Sequence, residues 1–228
     1  MYNNGVMRKT GFNTGEYYHL YNRGNNKQKI FLDKRDWVRF LFLILYFQSP
    51  VTTSFNNIGR PVSFFIKNLS FNVSQKVIDK ILENKHAKLI AFALMENHFH
   101  LIIKENKKDG ISQYMQRVLN SYTKYFNAKY GNTGHLFQGP FKGVHIKDNE
   151  QLLHLSAYIH RNPREIKEWK NREEEYFWSS YQDYIKKNRW NGLLENQIIM
   201  EQFTGSDEYK DFIETSGTKL KLDDDLKC

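Results

Sequence analysis

Residues 16–22, EYYHLYN, alternate loosely between apolar and polar positions and are rich in tyrosine, the pattern of a half-buried strand. The polar loop Asn22-Arg23-Gly24-Asn25-Asn26-Lys27 follows. Asp33 then stands where a helix cap belongs, and Trp37, Phe40, Leu41, Ile44 and Leu45 fall at helical spacing as far as about residue 47. Residues 49–72 are rich in Ser, Thr and Asn, contain Pro50 and Pro61, and read as a long connection or insertion. Val73, Val77, Ile78 and Ile81 predict a helix over 73–84. Two apolar runs, 87–95 and 98–104, flank Glu96-Asn97 and read as the strands of a hairpin. Residues 111–130 carry apolar side chains at 111, 114, 115, 118, 119, 122 and 126, one stripe of an amphipathic helix. After a loop, residues 141–146 read as a strand. A helix over 148–161 opens with Asp148 and Gln151 at capping-box spacing and is ended by Asn162-Pro163.

The resulting order is β-α-(insertion)-β-β-α-β-α. Its first six elements, the insertion aside, are the split βαβ arrangement of the ferredoxin-like fold. The predicted class is α+β: an antiparallel sheet with helices on one face, an extra helix over 148–161 packed near the sheet, and a short helical tail. Two regions are expected: a body over 1–165, with an insertion at about 49–84, and a partly helical extension over 166–228.

Charge separates the same two regions. The net charge is +9 over 228 residues. Residues 1–165 hold 24 Lys/Arg against 11 Asp/Glu, a surplus of 13, whereas residues 166–228 hold 10 against 14, a deficit of 4. A basic body with an acidic tail points to a polyanion partner, nucleic acid foremost. The longest apolar run, 37–47, is too short to span a bilayer and contains Arg39. The first ten residues hold no apolar run of the kind a secretory signal needs. The one cysteine is Cys228, which excludes a disulfide framework and a cysteine zinc site and suits a reducing cytoplasm.

Three features carry chemistry. His98-Phe99-His100 lies on a predicted strand, so both imidazoles face one side and Phe99 the other, which is half of a metal site. On the 148–161 helix, His154, Tyr158, Arg161 and Asn162 form one polar stripe, with Leu152, Leu155 and Ile159 on the buried side. Basic and aromatic residues interleave at Tyr122, Lys124, Tyr125 and Lys129. They recur from the loop 134–139 to Lys142, and at Arg23, Lys27 and Lys29 after the first strand. Cations hold phosphates and aromatic faces stack on unpaired bases. Each feature alone also fits an ordinary histidine pair, a boundary tyrosine or a solvated face.

Together they resemble a family. The stretch from His19-Leu20-Tyr21-Asn22-Arg23-Gly24 to Ile30-Phe31 is similar to its N-terminal motif. Ala93-Leu94-Met95-Glu96-Asn97-His98-Phe99-His100, Gly134-His135-Leu136-Phe137-Gln138-Gly139, Tyr158-Ile159-His160-Arg161-Asn162-Pro163 and Trp178-Ser179-Ser180-Tyr181 follow in order. The series resembles the IS200-like Y1 transposases, in particular the REP-associated tyrosine transposases, over roughly residues 15–185. Glu96 stands where this branch usually has Pro, and Pro140 where Arg is usual.

The resemblance implies that His98 and His100 are metal ligands, that Asn162 supplies a third, amide-type ligand, and that Tyr158 is the nucleophile. It implies a divalent metal, Mg²⁺ or Mn²⁺, with no nucleotide cofactor. The expected activity is nicking and strand transfer of single-stranded DNA beside a hairpin through a 5′-phosphotyrosine, in the cytoplasm at the nucleoid. Asn22, Arg23, Lys27, Lys29, Lys124, Lys129 and Lys142 are the expected DNA contacts. No membrane partner is expected, and monomer and homodimer both remain open. Two rivals stand beside this reading. One is a domesticated DNA- or RNA-binding module of the same fold without cleavage. The other is a histidine metallohydrolase, which would want an acid such as Glu96 or Glu105 near the histidines.

Overall fold

The computed structural model describes residues 11–51 and 57–216. The far end of the acidic tail, with Cys228, and part of the expected insertion lie outside the described residues. Strand β1 (Tyr17–Arg23) leads to α1 (Lys34–Tyr46), α2 (Gly59–Asn68) and α3 (Gln75–Glu83). The hairpin β2 (Ala87–Met95) and β3 (His98–Glu105) follows, then α4 (Gly110–Tyr130), β4 (Lys142–Ile146) and α5 (Asn149–Arg161). Helices α6 (Tyr181–Ile185), α7 (Gln197–Met200) and α8 (Ser206–Thr215) follow. The sheet order is β2-β3-β1-β4, antiparallel throughout, as expected of a ferredoxin-like core. Among the described residues no helix is long and apolar enough to cross a membrane.

The two sides of the sheet bury different elements. On one, Leu20, Leu89, Phe99, Leu101 and Ile103 pack with α1 and α4 through Phe40, Leu41, Ile44, Tyr114, Val118 and Tyr122. On the other, Ala91, Ala93 and Ile102 pack with Leu152, Leu155 and Ile159 of α5 and with Tyr181, Tyr184, Tyr209 and Ile213. The strand period of two sorts residues between these layers, which is why neighbours on β3 belong to different clusters.

Helix α2 falls inside the segment read from sequence as a connection. Pro61 is its third residue, within the first turn, where a missing N–H costs no helical hydrogen bond. Val62 and Phe65 bury against the body, and Arg35 Nη1 of α1 donates to Ser63 Oγ at 3.1 Å.

From residue 166 to residue 216 the chain stays on the body. Leu94 N donates to Trp178 O at 2.9 Å, Ser180 N to Phe92 O at 2.9 Å and Glu195 N to Leu89 O at 2.8 Å. These bonds satisfy the free edge of β2, which would otherwise offer unpaired backbone groups. Residues 166–216 are thus built into both layers, although the sequence suggests an extension.

Candidate functional site

The site begins at β3. Phe99 points into the α1/α4 layer, its ring 5.1 Å from that of Phe40. His98 and His100 point to the α5 layer, with ring centroids 5.1 Å apart and planes nearly perpendicular. Each imidazole has one nitrogen already engaged. His98 Nδ1 lies 2.7 Å from Asn97 Oδ1, and His100 Nδ1 lies 2.9 Å from His19 Nε2. His100 Nε2 is buried and has no hydrogen-bond partner.

Helix α5 brings the tyrosine. Asp148 caps it by accepting from Gln151 N at 2.7 Å. Gln151 Oε1 accepts from Lys147 N at 2.7 Å, one residue upstream of the expected partner. Leu155 and Ile159 are fully buried, which leaves Tyr158 at the layer boundary, half-buried, with its ring 5.6 Å from His100. Asn162 opens the short turn Asn162–Glu165, is 4% exposed, and has an Oδ1 with no hydrogen-bond partner. The predicted polar stripe divides here. Tyr158 and Asn162 face β3. His154 Nδ1 instead pairs with Ser216 Oγ at 2.8 Å, and Arg161 Nη1 donates to Ser216 O at 2.7 Å.

Burial keeps the imidazoles neutral. It pulls His98 down to about 4; the Arg23 guanidinium adds to the lowering and the Asn162 amide opposes it. Burial holds His100 well below the usual histidine range, with smaller contributions from His19, His98 and Arg23. Neutral imidazoles are the form that binds a cation. Two buried atoms, His100 Nε2 and Asn162 Oδ1, have no hydrogen-bond partner; the amide oxygen carries lone pairs, and His100 Nε2 carries one when the ring proton sits on Nδ1, which are donor types that a divalent cation takes. Among the described residues no group of three or more His, Cys, Asp or Glu is placed to hold a metal, so any donor set here needs the amide.

The acids wanted by a metallohydrolase are occupied elsewhere. Glu105 accepts from Gly110 N at 3.0 Å and Ile111 N at 2.6 Å, at the start of α4. Glu96 pairs with Lys29 at 2.9 Å on the hairpin turn.

The expected DNA contacts separate into three groups. Arg23 and Lys142 line a cavity of about 170 Å³ with Tyr21 and Gln138, and Lys142 Nζ lies 5.6 Å above the Tyr21 ring. The Tyr21 ring is itself 6.1 Å from His100, so this cavity adjoins the histidines. Lys27 is exposed on the turn after β1, and Lys124 lines a larger groove of about 690 Å³ between α4 and residues 135–141. That groove belongs to the α1/α4 layer, away from Tyr158. Asn22 lines the same cavity as Arg23 and is also tied into the backbone, while Lys129 is held in ion pairs. Asn22 Nδ2 donates to Gly139 O at 3.1 Å and its Oδ1 accepts from Arg23 N at 2.8 Å. Lys129 pairs with Asp33 at 2.6 Å and Asp36 at 2.7 Å, and although burial opposes its charge, these bonds hold its pKa above the ordinary lysine value.

Two of the sequence motifs meet in space. Asn25 N donates to Leu136 O at 2.9 Å and Gln138 N to Arg23 O at 2.9 Å, joining the loop after β1 to the loop before β4. Gly24 is required there, since a Cβ would lie 2.2 Å from Gln28 O. His19 and His160 received no role from sequence. His160 Nδ1 lies 2.8 Å from the Tyr209 hydroxyl and its Nε2 2.8 Å from Ser180 Oγ, fixing α5 to the tail. Only alternation on β1 places His19 on the face of His100, and alternation needs the register to become a contact.

Residues 63–162 match the family model described as "Transposase IS200 like". This segment runs from within α2 to Asn162 and contains both histidines of β3 and Tyr158. Among solved structures, the chain is similar to one described as "Structure of the REP associates tyrosine transposase bound to a REP hairpin", at 14% identity and a TM-score of 0.48, over 79% of this chain and 85% of that chain. No curated protein sequence matches the chain.

Proposed function

We propose, from the premise that residues 63–162 belong to the IS200-like transposase family, that this protein nicks and rejoins single-stranded DNA beside a hairpin, using Tyr158 as nucleophile. The observation that carries the reading is the joint placement of Tyr158, His100 Nε2 and Asn162 Oδ1. The Tyr158 ring lies against His100, whose buried Nε2, like the buried Oδ1 of Asn162 four residues on from the tyrosine, has no hydrogen-bond partner in the chain. His98, His100 and Asn162 would hold a divalent cation, and imidazole donors suit Mn²⁺ better than Mg²⁺. Such a cation supplies polarisation of a phosphoryl oxygen and neutralises charge that develops on it.

The rest of the work belongs to the chain. Tyr158 Oη forms a bond to phosphorus while the bond from phosphorus to the 3′ oxygen breaks. The phenol proton is released and the leaving oxygen ends as a 3′-hydroxyl, so the DNA 5′ end remains on the enzyme as a phosphotyrosine. The reverse attack by another 3′-hydroxyl rejoins strands without a nucleotide cofactor. Arg23 and Lys142 lie beside the histidines and would hold the flanking phosphates, with Tyr21 offering a face for a base. The hairpin substrate follows the motif resemblance.

The test is formation of a covalent adduct on labelled single-stranded hairpin DNA with Mn²⁺. Wild type is expected to form it. Tyr158→Phe is expected to bind the same DNA and form none. DNA binding without an adduct in the wild type would favour the non-cleaving module.

A further inference from the structure

His19 lies near the middle of β1, fully buried, opposite Ile102 and diagonal to His100 on the same face of the sheet. Its Nε2 is 2.9 Å from His100 Nδ1, with the ring planes 11° apart. The other nitrogen of each ring, His19 Nδ1 and His100 Nε2, is buried and has no hydrogen-bond partner. A neutral imidazole carries one N–H and one lone pair, so the shared bond can run in two directions. In the first, His100 Nδ1–H donates to His19 Nε2. His100 Nε2 is then a bare lone pair aimed at the site, and His19 carries its proton on Nδ1. In the second, His19 Nε2–H donates, and His100 Nε2 carries a proton and cannot ligate. Either direction leaves one buried N–H and one buried lone pair unsatisfied, so the pair by itself holds the two close in energy. A cation on His100 Nε2 satisfies the lone pair of the first direction and has no place in the second.

We propose that His19 is a positioning residue for the cation site: it accepts the His100 Nδ1 proton, and cation binding fixes the direction of the His19–His100 hydrogen bond. The inference rests on the divalent-cation reading above. A metal-bound histidine ordinarily donates its second N–H to a carboxylate, a carbonyl or water. Here a neutral imidazole fills that place, which orients the ligand without adding a negative charge beside an approaching phosphate.

The experiment uses the full chain with ¹⁵N-labelled histidine. Long-range ¹H–¹⁵N correlation during a Mg²⁺ titration is expected to show His100 and His19 both protonated on Nδ1 when loaded. In parallel, Mn²⁺ affinity is measured for two variants. His19→Phe keeps a ring but removes the acceptor, and its affinity is expected to fall by about 10- to 100-fold. His19→Gln returns a carbonyl oxygen near the lost Nε2, and its affinity is expected to return toward wild type. A loaded wild type with His100 protonated on Nε2 overturns the proposal, and the spectrum decides this even where His19→Phe does not fold. Unchanged Mn²⁺ affinity in a folded His19→Phe protein overturns it equally. Wild type that binds neither ion removes the cation reading and this inference with it, whereas the other two outcomes remove this inference alone.

Discussion

The Tyr158 ring meets the His100 imidazole edge-on, with centroids 5.6 Å apart and planes at 89°. An aromatic edge of this kind contributes about 0.5–1.5 kcal/mol, and it sets where the hydroxyl stands relative to β3. Tyr158→Phe keeps the ring and this contact, so its unfolding free energy is expected to fall by no more than about 1.5 kcal/mol, the contribution of a single hydrogen bond. A larger loss in urea denaturation would mean that the ring itself no longer seats against His100.

Asn162 separates stability from cation binding. Its buried Oδ1 makes no close hydrogen bond and the amide's one interaction is with the His98 ring, so Asn162→Ala is expected to change folding stability by less than about 1 kcal/mol. The same change is expected to weaken Mn²⁺ binding and remove the DNA adduct. Calorimetric Mn²⁺ titration beside urea denaturation checks both. Equal Mn²⁺ affinity in variant and wild type would take Asn162 out of the donor set.

Phosphate contacts are expected from Arg23 and Lys142 and not from Lys129. For single strands each contact contributes about 0.7 to the log–log salt slope of affinity. Arg23→Ala and Lys142→Ala should each weaken binding and flatten the slope by about that amount. Lys129→Ala should leave the slope unchanged and lower stability, because its ammonium holds Asp33 and Asp36. A slope that responds to Lys129 alone would place the DNA on the opposite side of the molecule.

Asp36 gives the acid limit of the fold. Its buried carboxylate accepts from Leu32 N, Tyr125, Lys129 and Tyr130, at 2.7 to 2.9 Å. Burial raises its pKa, but these bonds together outweigh burial and hold it below its ordinary value of 3.8. A carboxylate with a depressed folded pKa stabilises fully above its unfolded pKa and loses that contribution as pH falls through the folded value. Asp36→Asn is expected to cost about 2 kcal/mol or more at pH 7, and the gap from wild type should narrow as pH drops below about 4. Urea midpoints at both pH values check this; a gap of constant size would show that the carboxylate's charge contributes nothing.

Ser180 holds α5 to the sheet edge. Its Oγ accepts from Phe92 N at 2.9 Å and lies 2.8 Å from His160 Nε2. Ser180→Ala leaves two buried polar groups unpaired and is expected to destabilise by about 1–3 kcal/mol. Hydrogen exchange at the Phe92 amide should rise in that variant. If it does not, the tail covers β2 without help from this hydroxyl.

Local pattern alone determined much of this protein. Period-two alternation on β3 put His98 and His100 on one face and Phe99 on the other. The 3.6-residue period of α5 buried Leu155 and Ile159 and left Tyr158 at the boundary. The order of elements set the β2-β3-β1-β4 sheet, because hairpins and crossovers of this length close in few ways. Other features depend on partners far apart in the chain, and no local period encodes those. The helix stripe parted because His154 and Arg161 found Ser216, 62 and 55 residues away. Lys129 is held in ion pairs because Asp33 and Asp36, 96 and 93 residues away, reach it. Pro61 hid α2, since proline marks a loop in sequence yet is harmless in a first turn. His19 meets His100 only through the β1–β3 register, which brings its Nε2 to His100 Nδ1 across 81 residues of chain.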